Sequence, residues 1–190
     1  NKLKRTYEAG TRLIAEIKDE IMYLESIINA IDIATTENDL NNIKDELAVT
    51  GYIKRSGKSK SKGNTHNKPM HYVSSDGFDI YVGKNNIQND ELTFKFATGG
   101  DWWFHAKQMP GSHVIVKTDG KELPDKTFEE AAALAAYYSK GRDLEKVEVD
   151  YVLKKEVKKP AGAKPGFVVY YTNYSLIAIA DISGIRLISG

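Results

Sequence analysis

The chain has 190 residues, of which 41% are apolar and 28% charged, the size and composition of one globular domain with an appendage. Its 27 basic and 26 acidic residues leave a net +1, so no overall field marks it as a polycation or an acidic tail. There is no cysteine, which excludes a disulfide scaffold, a thiolate zinc site and a cysteine nucleophile. No run of about 18 apolar residues is present to span a membrane.

The chain opens on Asn1, with no charged stretch leading into an apolar one, so no signal peptide is predicted. Helical periodicity already includes the first residues, and the expectation is a C-terminal piece of a longer protein. Leu3, Tyr7, Ile14, Ile17, Ile21, Leu24, Ile28 and Ile31 fall at steps of three and four, interrupted only around Gly10. That is the seam of a coiled coil rather than the broad stripe of a core helix. Thr36, followed by Glu37 and Asp39, opens a second helix as its cap, Leu40, Ile43 and Leu47 give it an apolar face, and Gly51 stops it. A hairpin of two such unequal helices leaves Leu3 to Ile17 without a partner. Upstream sequence supplying that partner is the favoured native arrangement, and pairing of two copies into a homodimer is the alternative.

Residues 56–67 then read SGKSKSKGNTHN, with no acid and no large apolar side chain, too polar to bury. Lys54, Arg55, Lys58, Lys60, Lys62 and Lys68 make this linker strongly cationic. Beyond Pro69 the texture is that of strands. Residues 71–73 and 78–82 form a hairpin across Asp76-Gly77. Residues 102–106 and 113–117 form another pair joined through Pro110-Gly111. A helix capped by Thr127 runs to about Ser139 with an alanine-rich face suited to a sheet, and ends before Gly141. Residues 147–157, 166–171 and 175–188 complete the strands. The predicted class is α+β: a coiled-coil arm over 1–53, a basic linker over 54–69, and a mostly antiparallel sheet packed with helices over 70–190.

Three features bear on chemistry. Lys84, Asn85, Asn86, Gln88, Asn89 and Asp90 crowd amides and carboxylates just after a strand. They read either as a turn with a helix cap or as a polar cluster aimed at base edges and phosphates, and their density favours the second. Asp101, Trp102, Trp103, Phe104, His105 and Lys107, followed by Ser112 and His113, place three aromatics in a row. Because strand side chains alternate, at least one ring must meet a surface or a sheet edge, where beside Lys107 it could stack on bases. The competing reading is an inward face carrying Trp103 with a histidine satisfied by Asp101 or a carbonyl. The residue types of His105, His113 and Asp101 would also permit a metal, but without a recognised ligand spacing none is predicted, nor any cofactor. Finally, Lys154, Lys155, Lys158, Lys159 and Lys164 face only Glu156, whereas residues 1–50 carry ten acids against six bases. An acidic arm and a basic domain emerge, the footprint of nucleic-acid contact through phosphates. No G-x-S-x-G, P-loop or dinucleotide fingerprint is present, and Ser112 beside His113 on a strand is a poor nucleophile–base pair, so no enzyme is expected. A nucleotide-modifying role for Asp101 and His105 is the weakest reading.

The blocks 83–90, 101–107 and 110–114, in that order, resemble the signature blocks of the NFACT-R domain, and the preceding helices resemble the end of that family's middle coiled coil. The resemblance covers essentially the whole chain. It implies a parent among the bacterial NFACT proteins of RqcH type, also labelled fibronectin-binding protein A-like in Gram-positive bacteria. It further implies a cytoplasmic quality-control factor that holds tRNA on obstructed 50S subunits and supports alanine tailing of stalled nascent chains. For this fragment it implies the RNA- or ribosome-contacting share, carried by the segments above together with Lys58, Lys60, Lys62, Lys158 and Lys159. Lys84 departs from the arginine usual in the family, keeping the charge but losing the planar fork. The alternative is a surface adhesin for fibronectin or fibrinogen, reached by a non-classical route and using a sheet edge or charge matching.

Overall fold

The computed structural model describes residues 2–54 and 68–190. The three- and four-residue spacing of the first segment becomes one long helix, α1 (Lys2–Ile33), followed by α2 (Glu37–Val49). Thr36 caps α2 as expected. Its Oγ1 accepts the Asp39 N–H at 3.1 Å while the Asp39 carboxylate accepts the Thr36 N–H at 3.0 Å, a reciprocal capping box. Past the end of α2, Gly51 takes a left-handed conformation. The contact between the helices differs from the hairpin expected. Ile43 of α2 packs on Tyr23, Ile27 and Ala30 of α1, a flank of the helix, and the heptad seam stays exposed from Leu3 to Ile31. The flank wins because it also meets the domain, where Asn29 Nδ2 donates to the Tyr138 carbonyl at 3.3 Å. None of the described helices is long and apolar enough to cross a membrane.

The domain is α+β, built on one seven-stranded antiparallel sheet. Its elements in chain order are β1 (Met70–Val73), β2 (Asp79–Val82), α3 (Asn86–Glu91), a π-helical turn (Leu92–Phe96), β3 (Trp102–Ala106) and β4 (Val114–Val116). After these come α4 (Asp125–Tyr137), β5 (Val147–Leu153), a short 3-10 turn (Lys154–Glu156), β6 (Tyr174–Ala178) and β7 (Arg186–Ser189). The spatial order is β6-β5-β3-β4-β2-β1-β7. The Asp76-Gly77 hairpin forms as read, with Gly77 at φ +85° and Met70 opposite Val82.

Three expectations need correction. Thr127 does not cap α4, which begins two residues earlier behind Pro124. It is buried in the first turn, with Oγ1 2.8 Å from Asp76 Oδ2, and ties the helix to the β1–β2 turn. Residues 166–171 form no strand. They run as a strap bridged to the chain where Lys158 meets Val169, entered through Pro165 and a left-handed Gly166 that interrupt an extended run. The final stretch is two strands: β6 and β7 lie at opposite edges of the sheet, and the chain crosses between them over residues 179–185.

β3 lies inside the sheet, between β5 and β4, and both of its faces are covered. Trp102, Phe104 and Ala106 point to the face under α4, whose Ala131, Ala132, Ala135 and Ala136 permit close approach, with Val114, Val116, Val147 and Val149 beside them. Trp103 points to the opposite face, among Ile115, Val152, Leu92 of the π-helical turn and Tyr170 of the strap. Trp103 and Phe104 are fully sealed from solvent, whereas Trp102 keeps partial exposure among Phe128, Tyr151 and Tyr174. Trp103→Ala and Phe104→Ala should each lower unfolding stability by about 3–5 kcal/mol in urea titrations, and Trp102→Ala by less. A Trp103→Ala loss under about 1 kcal/mol would contradict the sealed placement.

Candidate nucleic-acid interface

The amide-rich segment after β2 is folded around its own backbone. Asn85 caps α3, its side chain accepting the Gln88 N–H at 2.9 Å, and Gln88 Oε1 accepts the Lys84 N–H at 2.8 Å. Asn89 Oδ1 accepts the His113 N–H at 3.0 Å, fastening α3 to the start of β4. Gly83 is required here, since a Cβ would lie 2.0 Å from Asn89 Oδ1. Asn86 turns to the arm: its Nδ2 donates to Ser26 Oγ at 2.7 Å and to Glu46 Oε1 at 3.0 Å. Lys84 Nζ also turns to the arm, 3.4 Å from Asp39 Oδ1 with both side chains buried. Burial would raise Asp39, but the hydrogen bonds from Thr36 and Thr35 and the Lys84 charge outweigh it and hold the carboxyl below its usual value. Thus the segment expected to face RNA is buried, and what it grips is the arm and β4.

The arm side of this joint contains a residue the sequence reading passed over. Glu46 is fully buried, and its Oε1 also accepts from Tyr23 OH at 2.9 Å, while Oε2 has no hydrogen-bond partner among the described residues. Burial raises its pKa, and Asp90 pushes the same way, against the lowering effect of Asn86 and Tyr23. The available signal was an acid between Ile43 and Leu47, on the face of α2 that the apolar spacing turns inward. Lys164 adds a cation over the Tyr23 ring at 4.7 Å, and Lys140 Nζ donates to Glu25 Oε1 at 2.6 Å.

The tryptophan and histidine blocks are brought together. His105 stacks on Trp103 with centroids 5.6 Å apart, and His113 meets the same indole edge-on at 5.1 Å. His113 Nε2 lies 3.2 Å from the Gly166 carbonyl and Nδ1 2.8 Å from Thr93 Oγ1, the pattern of a neutral ring that donates to the carbonyl and accepts from the hydroxyl. Burial lowers both histidine pKa values, that of His113 the more strongly, with His105 beside it adding to the effect. Ser112 Oγ donates to the Gly83 carbonyl at 2.5 Å. Asp101 is buried and accepts from Lys117 Nζ and from the N–H groups of Thr98 and Thr118. Although burial alone would raise its pKa, these donors hold it below its usual value. No group of three or more metal-ligating side chains occurs among the described residues.

The cations divide into two sets. Lys107 is paired with Glu148 at 2.6 Å, and Lys159 with Asp90 at 2.8 Å and the Lys164 carbonyl at 2.6 Å. Lys154 and Lys155 on the 3-10 turn after β5, and Lys158 at the bridge to Val169, form no ion pair among the described residues, Lys154 Nζ lying over the Phe94 ring. Lys58, Lys60 and Lys62 lie outside the described residues.

The helical arm, acidic by composition, is joined by buried polar bonds to an antiparallel sheet whose turn after β5 carries unpaired lysines, and comparison with known proteins specifies the class of protein. Residues 68–172 match the family model described as the NFACT protein RNA binding domain, and residues 1–66 match that of the NFACT N-terminal and middle domains. The chain belongs to the NFACT family. It is 46% identical over 170 residues to the Rqc2 homolog RqcH of Streptococcus suis, covering 89% of this chain and 30% of that protein. With the Rqc2 homolog RqcH of Bacillus subtilis the identity is 37% over 182 residues, covering 95% of this chain and 31% of the relative. The chain therefore spans about a third of the length of these curated relatives. Among solved structures, the C-terminal part of the fibronectin/fibrinogen-binding protein from Streptococcus suis superposes with a TM-score of 0.87 at 43% identity, covering 96% of this chain and 72% of that one.

The orphaned Glu46 oxygen makes the joint sensitive to protonation. A carboxyl whose folded pKa is raised contributes stability below its unfolded value, about 4.3, and loses it as pH rises through the folded value. Glu46→Gln should therefore melt at a higher temperature than the wild type near about pH 8, with the gap closing towards about pH 4. Calorimetry across that range checks this, and a gap of constant size would refute it.

Proposed function

We propose that this chain is the RNA-contacting, non-catalytic part of a cytoplasmic ribosome-associated quality-control protein that holds tRNA on obstructed 50S subunits. The parent then supports alanine tailing of stalled nascent chains. The family's RNA binding domain and the Rqc2-homolog relatives support this reading. Within the chain it rests on one observation: Lys154, Lys155 and Lys158, close together after β5, form no ion pair among the described residues, whereas the arm is acidic by composition. Lysines left without acids keep their full attraction for a phosphate backbone. The exposed seam of α1 is served in the parent by a helix from upstream sequence, which sets the arm's reach.

The lysines define the test. Lys154→Ala, Lys155→Ala and Lys158→Ala combined should weaken tRNA binding and reduce its dependence on salt, each lost phosphate contact removing roughly 0.7–0.9 from the slope of log K against log salt. Lys58→Ala, Lys60→Ala and Lys62→Ala in the same filter-binding assay measure the linker's share. An unchanged slope in both sets would remove the phosphate role of these lysines. The second reading, adhesion, draws on the name of the solved Streptococcus suis relative. Surface plasmon resonance of the chain against fibronectin and against 50S subunits with tRNA separates the two: salt-sensitive capture by the RNA partner alone is expected, and capture by fibronectin alone would reverse the assignment.

A further inference from the structure

The sheet face opposite α4 is only partly roofed. The π-helical turn and the strap close it over Trp103, Ile115 and Val152, but towards β1 the cover stops at Phe96. Beyond that point the face continues as rings. Tyr81 on β2 stacks on His71 of β1 with centroids 4.6 Å apart and planes within 7°. Phe96 meets Tyr81 edge-on at 4.7 Å and is itself 44% exposed. The wide turn, closed by the Ala97 N–H donating to the Leu92 carbonyl, directs Phe94 towards the core cluster and Phe96 to solvent. π-Helical turns recur at functional sites, and this one presents a large ring where packing does not need it.

Charge accompanies the rings. Lys117 Nζ lies 5.1 Å from the Phe96 centroid and Lys154 Nζ 5.6 Å from that of Phe94. Lys117 is ion-paired with the buried Asp101 and His71 engages Asp79 at 2.7 Å, while Asp119 adds an exposed acid near Tyr81. Lys154 and Lys155 are unpaired, and the backbone of Lys155 donates to the Gly99 carbonyl, placing that turn against the end of the π-helical segment. Exposed flat rings, with the unpaired lysines Lys154 and Lys155 on the neighbouring turn, match a nucleic-acid strand whose bases are free to stack, and not a duplex, whose bases are stacked on one another.

We propose that Phe96, Tyr81 and His71 form a stacking platform for unpaired bases of single-stranded RNA, with the phosphates running along Lys154 and Lys155. This rests on the RNA-binding reading above and assigns it a site other than the tryptophans. Stacking of this kind tolerates any base, so the platform selects for strandedness rather than sequence.

The test uses the whole 190-residue chain, an oligoadenylate of about ten nucleotides carrying one fluorescent adenine analogue, and a blunt RNA duplex of equal length. The wild type should bind the single strand more tightly than the duplex and quench the analogue. Phe96→Ala, at an exposed ring and verified as folded by its melting curve, should weaken single-strand binding at least about fivefold and abolish quenching while leaving duplex binding unchanged. Phe96→Tyr should restore both. Equal single-strand binding by wild type and Phe96→Ala, with RNA still bound, would overturn the platform and leave the RNA reading standing. Failure of the wild type to bind either RNA would overturn both.

Discussion

A strand in the interior of a sheet has two faces, and each must be kept from water. In β3 the alternation Trp102, Trp103, Phe104, His105 sends a large ring to each side, so the domain needs two covers rather than one. α4 supplies the first with a surface of alanines. The second is made of irregular pieces, a π-helical turn and a strap with one backbone bridge, and Trp103 anchors both. Much else follows from that constraint. His105 and His113 pack against the indole, and the amides of α3 are absorbed in fixing the loop that brings in the cover.

The same loop fastens the arm. Asn86, Lys84 and Lys164 reach from the domain to Glu46, Asp39 and Tyr23, so the joint is made of directed polar bonds around a buried carboxyl rather than of a greasy contact that could slide. Breaking a buried ion pair by removing one partner typically costs about 3–5 kcal/mol, so the angle between arm and sheet is strongly specified. A long helix with one flank so held and its apolar seam exposed is set up to project from the domain in a fixed direction.

Much of this was legible in the residues. The Asp76-Gly77 hairpin, the Thr36 cap, the strand over 102–106 and the alanine face of α4 each rest on short-range rules, and the structure follows them. What could not be read was which surface covers which. The alternation of aromatics showed that β3 has two faces but not that both are buried, and a count of amides cannot distinguish groups that meet a ligand from groups that meet each other. Thr127 was mistaken for a cap because its role is tertiary, a bond to Asp76 some fifty residues earlier. The spacing of Leu3 to Ile31 marked a stripe for an upstream or second-copy partner, but not that α2 would pack on the flank of Tyr23, Ile27 and Ala30 and leave the whole stripe exposed. Phe96 was overlooked because a single phenylalanine in Thr-Phe-Lys-Phe carries no mark of facing outward; only the wide turn reveals it.

The crossing of residues 179–185 from one sheet edge to the other has a consequence for how the chain is made. β1 is the first strand of the domain to emerge during synthesis, and among the described residues its outer edge is paired by β7, where His71 meets Ser189. Until residues 186–189 leave the exit tunnel, β1 presents open amides and carbonyls, the kind of edge that recruits foreign strands. Contacts so distant along the chain also form slowly. Loss of β7 alone, after β6 is made, would therefore yield a domain that is largely collapsed yet sticky along one side, so four late residues guard its solubility.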